Sequence, residues 1–278
     1  MGGAGAAGRS RCHGLCHGRH GWRSHHRHGQ PHRPVMGAAP ADGGQRCVGL
    51  HWHGAVFPAL APCGTGLMHI PDGILPLGLS LGGWAIAAGL TALSLNRIAA
   101  QPDPRAGLPR AAMMTAAFFA ASLIHIPVPP SSVHLVLPGL MGAMLGWYAL
   151  PAILIGLAFQ AVMFGHGGLT TLGVNAVILG LPALAAFGLT RALGHLTQRA
   201  AAAIVGFATG AGAVLLAVAL FAAILLAGLP AHLDAGAERA AITALALAHL
   251  PLALAEGMVV VAVLGFLRRT SPEMIVAR

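Results

Sequence analysis

The chain has 278 residues, 56% of them hydrophobic and 8% charged, with a formal net charge of +9. That charge is unevenly placed: residues 1–67 carry 7 Arg against one acid, Asp42, whereas residues 68–278 carry 9 Arg against 6 acids. A basic balance concentrated in a short leader excludes reading the whole chain as a nucleic-acid binder.

The leader, residues 1–67, also holds 9 of the 16 His and all four Cys in a Gly- and Arg-rich background. A secretory signal needs an apolar core of roughly 7 to 15 residues, and nothing from Met1 to Gly54 supplies one. Two readings stay open. His tracts such as Ser24-His25-His26-Arg27-His28 suit a metal-sequestering tail, and the Gly, Ala, Arg and Pro bias suits a stretch upstream of the true start. Either way its low apolar content predicts disorder. Cys12 and Cys16 resemble half a zinc site, but no second pair follows at zinc-finger spacing.

From Met68 onward the composition is that of a membrane protein. Apolar runs near the roughly 20 residues needed to cross a bilayer cover about 74–95, 111–126, 174–190, 200–230 and 240–266. A longer uncharged stretch from Ser131 to Phe164 divides at Tyr148-Ala149-Leu150-Pro151, because proline disfavours helix in the residue before it. Splitting it into 134–149 and 151–165 predicts an all-α bundle of about seven transmembrane helices. The runs lack the alternation of a membrane β-barrel.

Loop charges set an orientation. With the Met68 end outside, the inner loops and the cytoplasmic C-terminus collect Arg97, Arg105, Arg110, Arg191, Arg199, Arg268, Arg269 and Arg278, and the outer loops only Arg239. That bias is the positive-inside pattern. The same topology gathers His69, His125, His134, His166, His232 and His249 at or near the outer face, leaving His195 within. Clustered imidazoles suit a late transition metal.

The run Met68-His69-Ile70-Pro71-Asp72-Gly73 sharpens this expectation. If Met68 carries a free amine, that amine, the deprotonated backbone nitrogen of His69 and its imidazole Nδ1 close a five- and a six-membered chelate ring. One further imidazole completes a square of nitrogens, which suits Ni(II), Cu(II) or low-spin Co(II) better than tetrahedral zinc.

Met68 to Gly73, Ser131-Ser132-Val133-His134, and the run from Phe164-Gly165-His166-Gly167-Gly168-Leu169 through Thr170-Thr171-Leu172-Gly173-Val174-Asn175 together resemble the CbiM/NikM family. Its members are substrate-binding membrane subunits of energy-coupling factor transporters for cobalt and nickel. The resemblance spans residues 68–278 and implies Met68, His69 and His134 as metal ligands. It implies no cofactor beyond the transported Co(II) or Ni(II), and a multi-pass place in a bacterial or archaeal cell membrane. The implied partners are a CbiQ/NikQ-like membrane coupling subunit, a CbiO/NikO-like cytoplasmic ATPase and, in some assemblies, a small CbiN-like subunit.

Other polar residues have competing readings. His134, after Ser131-Ser132, also fits the start of a helix beside a capping serine. His125 and Ser132 are candidates for supporting the ligands. His166, Thr170, Thr171 and Asn175 are candidates for a Gly-rich loop packed over the metal. The preferred reading of Asp72-Gly73 is a turn with Asp72 capping the first helix. Glu256 lies well inside a predicted span, seven residues after His249; a structural hydrogen bond to a neighbouring helix is preferred over a proton relay.

The chain contains no Walker A sequence, so the energy for transport must come from partners and the chain itself is expected to be non-catalytic. A secondary metal permease is the alternative, but it needs ionisable groups strung through the bilayer, and Glu256 stands alone. A membrane metalloenzyme needs an open coordination position with a general base beside it.

Overall fold

The computed structural model describes residues 69–128, 131–196, 198–228 and 235–275. Met68, the leader 1–67 and His232 lie outside the described residues. Eight α-helices and one β-hairpin make up the described chain: α1 (Leu77–Ala99), α2 (Leu108–Ser122), β1 (His125–Val128), β2 (Ser131–His134), α3 (Pro138–Leu145), α4 (Ala149–Phe164), α5 (Leu172–Leu193), α6 (Arg199–Gly228), α7 (Ala235–Ala248) and α8 (Leu250–Thr270). Among the described residues, five helical stretches are long and apolar enough to cross a membrane: Leu77–Ala99, Pro138–Phe164, Leu172–Leu193, Arg199–Gly228 and Ile242–Thr270.

Many of these helices are apolar on all sides. Leu77, Leu81 and Ile86 on α1, Phe159 and Val162 on α4, and Leu254, Met258 and Phe266 on α8 are exposed. Such surfaces belong in lipid rather than in water. The centre of the bundle is α3, α4 and α5, whose buried residues include Met141, Ile153, Leu157, Ala176 and Leu179. Glycines permit close crossings there. A Cβ on Gly83 of α1 would lie 2.8 Å from the backbone nitrogen of Val174, and one on Gly173 of α5 would lie 2.5 Å from the Cα of Trp84. Of the small residues on α6, Gly210 meets the backbone of α8, with Glu256 O 2.7 Å from such a Cβ, whereas Gly212 faces open space.

Pro138–Phe164 is not one straight rod. Twenty-seven residues of helix would extend about 40 Å, yet the rings of His134 and His166, which flank the stretch, stand 6.5 Å apart. Its middle reaches the opposite end of the bundle, where Tyr148 Oη donates to Pro104 O at 2.8 Å. The reversal occurs through a 3-10 turn, Gly146–Tyr148. Gly146 has φ 58° and ψ −122°, a conformation open to glycine and costly elsewhere. The breaker is therefore Gly146 rather than Pro151, which sits in the first turn of α4, where a missing N–H costs nothing.

Three other boundaries differ from the sequence expectations. The run 111–126 ends as helix at Ser122, and the chain then forms an antiparallel hairpin in which the Cα of His125 faces that of His134. His134 is thus on a strand rather than opening a helix. The apolar run 240–266 is divided between α7 and α8 around His249, with Pro251 in the first turn of α8.

Candidate metal centre

One end of the bundle is organised by hydrogen bonds that bind the segment before α1 to the start of α5. Asn175 grips the backbone of Ile70 from both sides: Ile70 N–H donates to Asn175 Oδ1 at 2.9 Å, and Asn175 Nδ2 donates to Ile70 O at 3.0 Å. The Thr171 hydroxyl donates to the same carbonyl. Ile70 is 1% exposed, and these bonds fix the backbone immediately after His69.

Asp72 does not cap α1, which begins at Leu77 after Pro76 with no side-chain cap. Its carboxylate instead reaches across to the loop before α5. It accepts the N–H groups of Leu169 (3.1 Å), Thr170 (2.9 Å) and Thr171 (3.4 Å), and the Thr170 hydroxyl. The Thr170 hydroxyl is the main cause that holds its pKa below the ordinary carboxylate value; burial, the next-largest effect, opposes it, and the three backbone donors add to the lowering. The turn reading of Asp72-Gly73 keeps its second half, since Gly73 has φ 87°.

The Gly-rich loop lies tightly against this segment. A Cβ on Gly168 would fall on the Asp72 carboxylate, and one on Gly167 (φ 75°) would come within 3.3 Å of His69 Cβ. Gly165, at φ 63°, ends α4, and the His166 N–H bonds back to Gln160 O at 3.2 Å, as in a glycine-terminated helix. The bends carry His166 back to the buried histidines.

His69 and His134 stack face to face, with ring centroids 5.2 Å apart and planes within 3°. His134 is 2% exposed, and its Nδ1 lies 3.3 Å from Leu135 O. His166 meets His134 edge-on. Both ring nitrogens of His69 are buried and have no hydrogen-bond partner among the described residues. Burial chiefly, then the neighbouring His134 and His166, pushes the His69 pKa well below its ordinary value. The neutral imidazole keeps a lone pair available to a metal. Leaving two ring nitrogens without partners in a buried site is costly.

The structure thus brings together His69, His134 and His166, with Thr170, Thr171 and Asn175 as the frame. Among the described residues, no three His, Cys, Asp or Glu side chains already form a metal-holding group. His125 is brought opposite His134 through its backbone, and Ser132 pairs with Pro127 in the same hairpin. Sequence reasoning missed the reach of Asp72 to the loop at 169–171. It also gave Glu256 no assigned partner. Glu256 accepts the N–H groups of Val136 (2.6 Å) and Leu137 (3.0 Å), so the expected structural bond is made to the backbone just after His134.

A many-helix membrane bundle with a buried imidazole pair at one end defines the class: a polytopic membrane protein with a candidate site for a nitrogen-seeking metal. The chain belongs to the CbiM family, whose profile, "Cobalt uptake substrate-specific transmembrane region", matches residues 69–274. It is 32% identical over 218 residues to the cobalt transport protein CbiM of Sorangium cellulosum, covering 75% of this chain and 94% of that one. It is 31% identical over 227 residues to the fused nickel transport protein NikMN of Rhodobacter capsulatus, covering 76% of this chain and 65% of that one. A Haemophilus influenzae protein is 40% identical over 124 residues, 45% of this chain and 58% of its own length. The fold is similar to a crystal structure of a truncated transition metal transporter, with TM-score 0.60 and 23% identity over 72% of this chain and 98% of that one. The family is one of transport proteins, so the chain is a non-catalytic membrane transport protein.

Proposed function

We propose that this chain is the metal-capturing membrane subunit of an energy-coupling factor importer for Co(II) or Ni(II). The ion is held by the Met68 amine, the backbone nitrogen and imidazole of His69, and the imidazole of His134. The observation that carries this reading is the buried His69 ring, both nitrogens without partners among the described residues, stacked at 5.2 Å on His134. The other two nitrogens that hold the ion are backbone and terminal ones, so a cluster of three side chains is not required.

The seven-pass reading follows the chain reversal at Gly146. The arms of Pro138–Phe164 count as two passes, α2 as another, and the α7–α8 stretch as one. The end carrying His69, His134 and His166 is then external, and the end carrying Arg97, Arg110, Arg191 and Arg268 is cytoplasmic, in keeping with the positive-inside rule. Energy is supplied by a membrane coupling subunit and cytoplasmic ATPases, with a small accessory membrane subunit in some assemblies. Met68 is the mature terminus, because only a free amine completes the square.

The test is calorimetric titration of Co(II) and Ni(II) into the purified protein, paired with terminal sequencing. A Met68 terminus and one tight ion per chain support the reading. Tight binding by a chain that retains the leader, or by His69→Ala, overturns this ligand set.

A further inference from the structure

The end of the bundle opposite the histidines contains a cavity that metal capture does not use. It spans about 280 Å³ and is lined by Arg97, Arg110 and Arg191, with Gln101, Trp147 and Tyr148 among its other walls and no carboxylate among the described residues that line it. The volume is close to the lower end, roughly 300 Å³, of small-ligand sites, a size suited to a compact charged group. Each arginine comes from a different helix: Arg97 from the last turn of α1, Arg110 from the first turn of α2 and Arg191 from the last turn of α5.

Two of these groups are held in place. Arg97 lies 5.6 Å over the Trp147 ring, and Trp147 is in turn set edge-on against Phe187 at 5.4 Å. Arg110 donates from Nη1 to Met274 O at 3.0 Å, while its Nε is buried with no partner among the described residues. A cation in the first turn of α2 also opposes the positive end of the helix dipole. Asp103, the acid on the adjacent loop, accepts the N–H of Arg105 at 2.9 Å. Three guanidiniums, one orphaned Nε and a helix start therefore converge without a counter-charge from the described lining residues.

We propose that this cavity binds a phosphate group, supplied by the headgroup of an anionic phospholipid. Guanidinium forks match phosphate oxygens, and an anion there offsets the unfavourable cation at the start of α2. The position of the cavity at the end of the bundle, where an apolar surface meets an arginine-bearing rim, selects a lipid over a free ion. Trp147 and Tyr148 are residues of the membrane–water interface, the level at which headgroups lie and at which basic pockets between helices take anionic lipid.

Native mass spectrometry of the detergent-purified protein tests this, with phosphatidylglycerol, phosphatidylcholine and inorganic phosphate as separate probes. Phosphatidylglycerol is expected to be retained in preference to phosphatidylcholine. Arg110→Gln should weaken that retention about fivefold, and so should Arg97→Gln, whose exposed side chain leaves the Met274 bond intact. Arg269→Gln, in the neighbouring basic cavity beside Arg199 and Arg268, removes the same charge and should leave retention unchanged. Unfolding midpoints check that each variant folds. Equal retention of both lipids, or equal loss in Arg269→Gln, overturns the site. Inorganic phosphate bound as tightly as phosphatidylglycerol overturns its assignment to lipid.

Discussion

Glu256 on α8 accepts the backbone N–H of Leu137 through both carboxylate oxygens, at 3.0 Å each, and that of Val136 at 2.6 Å. Leu137 is the one non-glycine residue with positive φ among the described residues, at 52°. The conformation costs roughly 1–2 kcal/mol. It ends the segment that carries His134 and lets α3 start at Pro138, a residue suited to a first turn. A buried carboxylate 1% exposed thus satisfies the donors of the strand-to-helix connection, which would otherwise be orphaned at the entry to α3.

Removing that carboxylate should be among the most damaging single changes in the bundle. Glu256→Ala leaves two buried N–H groups without an acceptor, at about 2–5 kcal/mol. Glu256→Gln keeps one acceptor oxygen and should cost less. Thermal unfolding in detergent orders the two; equal midpoints for Glu256→Ala and the parent protein would refute the role.

Asp72 gives a pH dependence of known sign. Its pKa is depressed in the folded protein, chiefly by the Thr170 hydroxyl. Its contribution to stability is therefore fully present above the ordinary carboxylate value of 3.8 and is lost as pH falls through the lower folded value. The unfolding midpoint should drop in that acid window, and Asp72→Asn should flatten this part of the profile. An unchanged acid profile in Asp72→Asn would show that the carboxylate is not responsible.

The Gly-rich loop offers a graded comparison. Gly168→Ala places a Cβ on the Asp72 carboxylate, and overpacking of this kind typically costs about 1–3 kcal/mol. Gly165→Ala meets nothing within 4 Å and should cost only the strain of φ 63°, about 1–2 kcal/mol. Metal titration should show a larger loss for Gly168→Ala, because Asp72 lies three residues from His69.

The histidines should separate in the same assay. His134→Ala removes a proposed ligand and should abolish tight binding. His166 sits edge-on to His134 at 6.5 Å, so His166→Ala should weaken binding about 10- to 100-fold, as lost supporting groups do. Equal effects would promote His166 to a ligand.

What the sequence made legible was mostly local. The apolar runs marked the helices, and His69, His134 and His166 marked the end where these three imidazoles meet. The hairpin His125–His134 was hidden because four-residue strands inside an apolar run carry too few residues to show a two-residue period. Gly146 was passed over for Pro151, since a glycine signals a reversal only when its dihedrals are known. The reach of Asp72 to Thr170, 98 residues away, and of Glu256 to Leu137, 119 residues away, has no local signature. Both are long-range bonds that depend on how the helices pack.

The central claim is the ligand set, and anomalous diffraction from crystals of the Co(II)-loaded protein tests it most directly. The account predicts one peak bonded to His69 and His134, with Met68 as a free terminus in the same coordination square. A peak remote from His69 and His134, or a Met68 nitrogen still joined to Leu67, would contradict it.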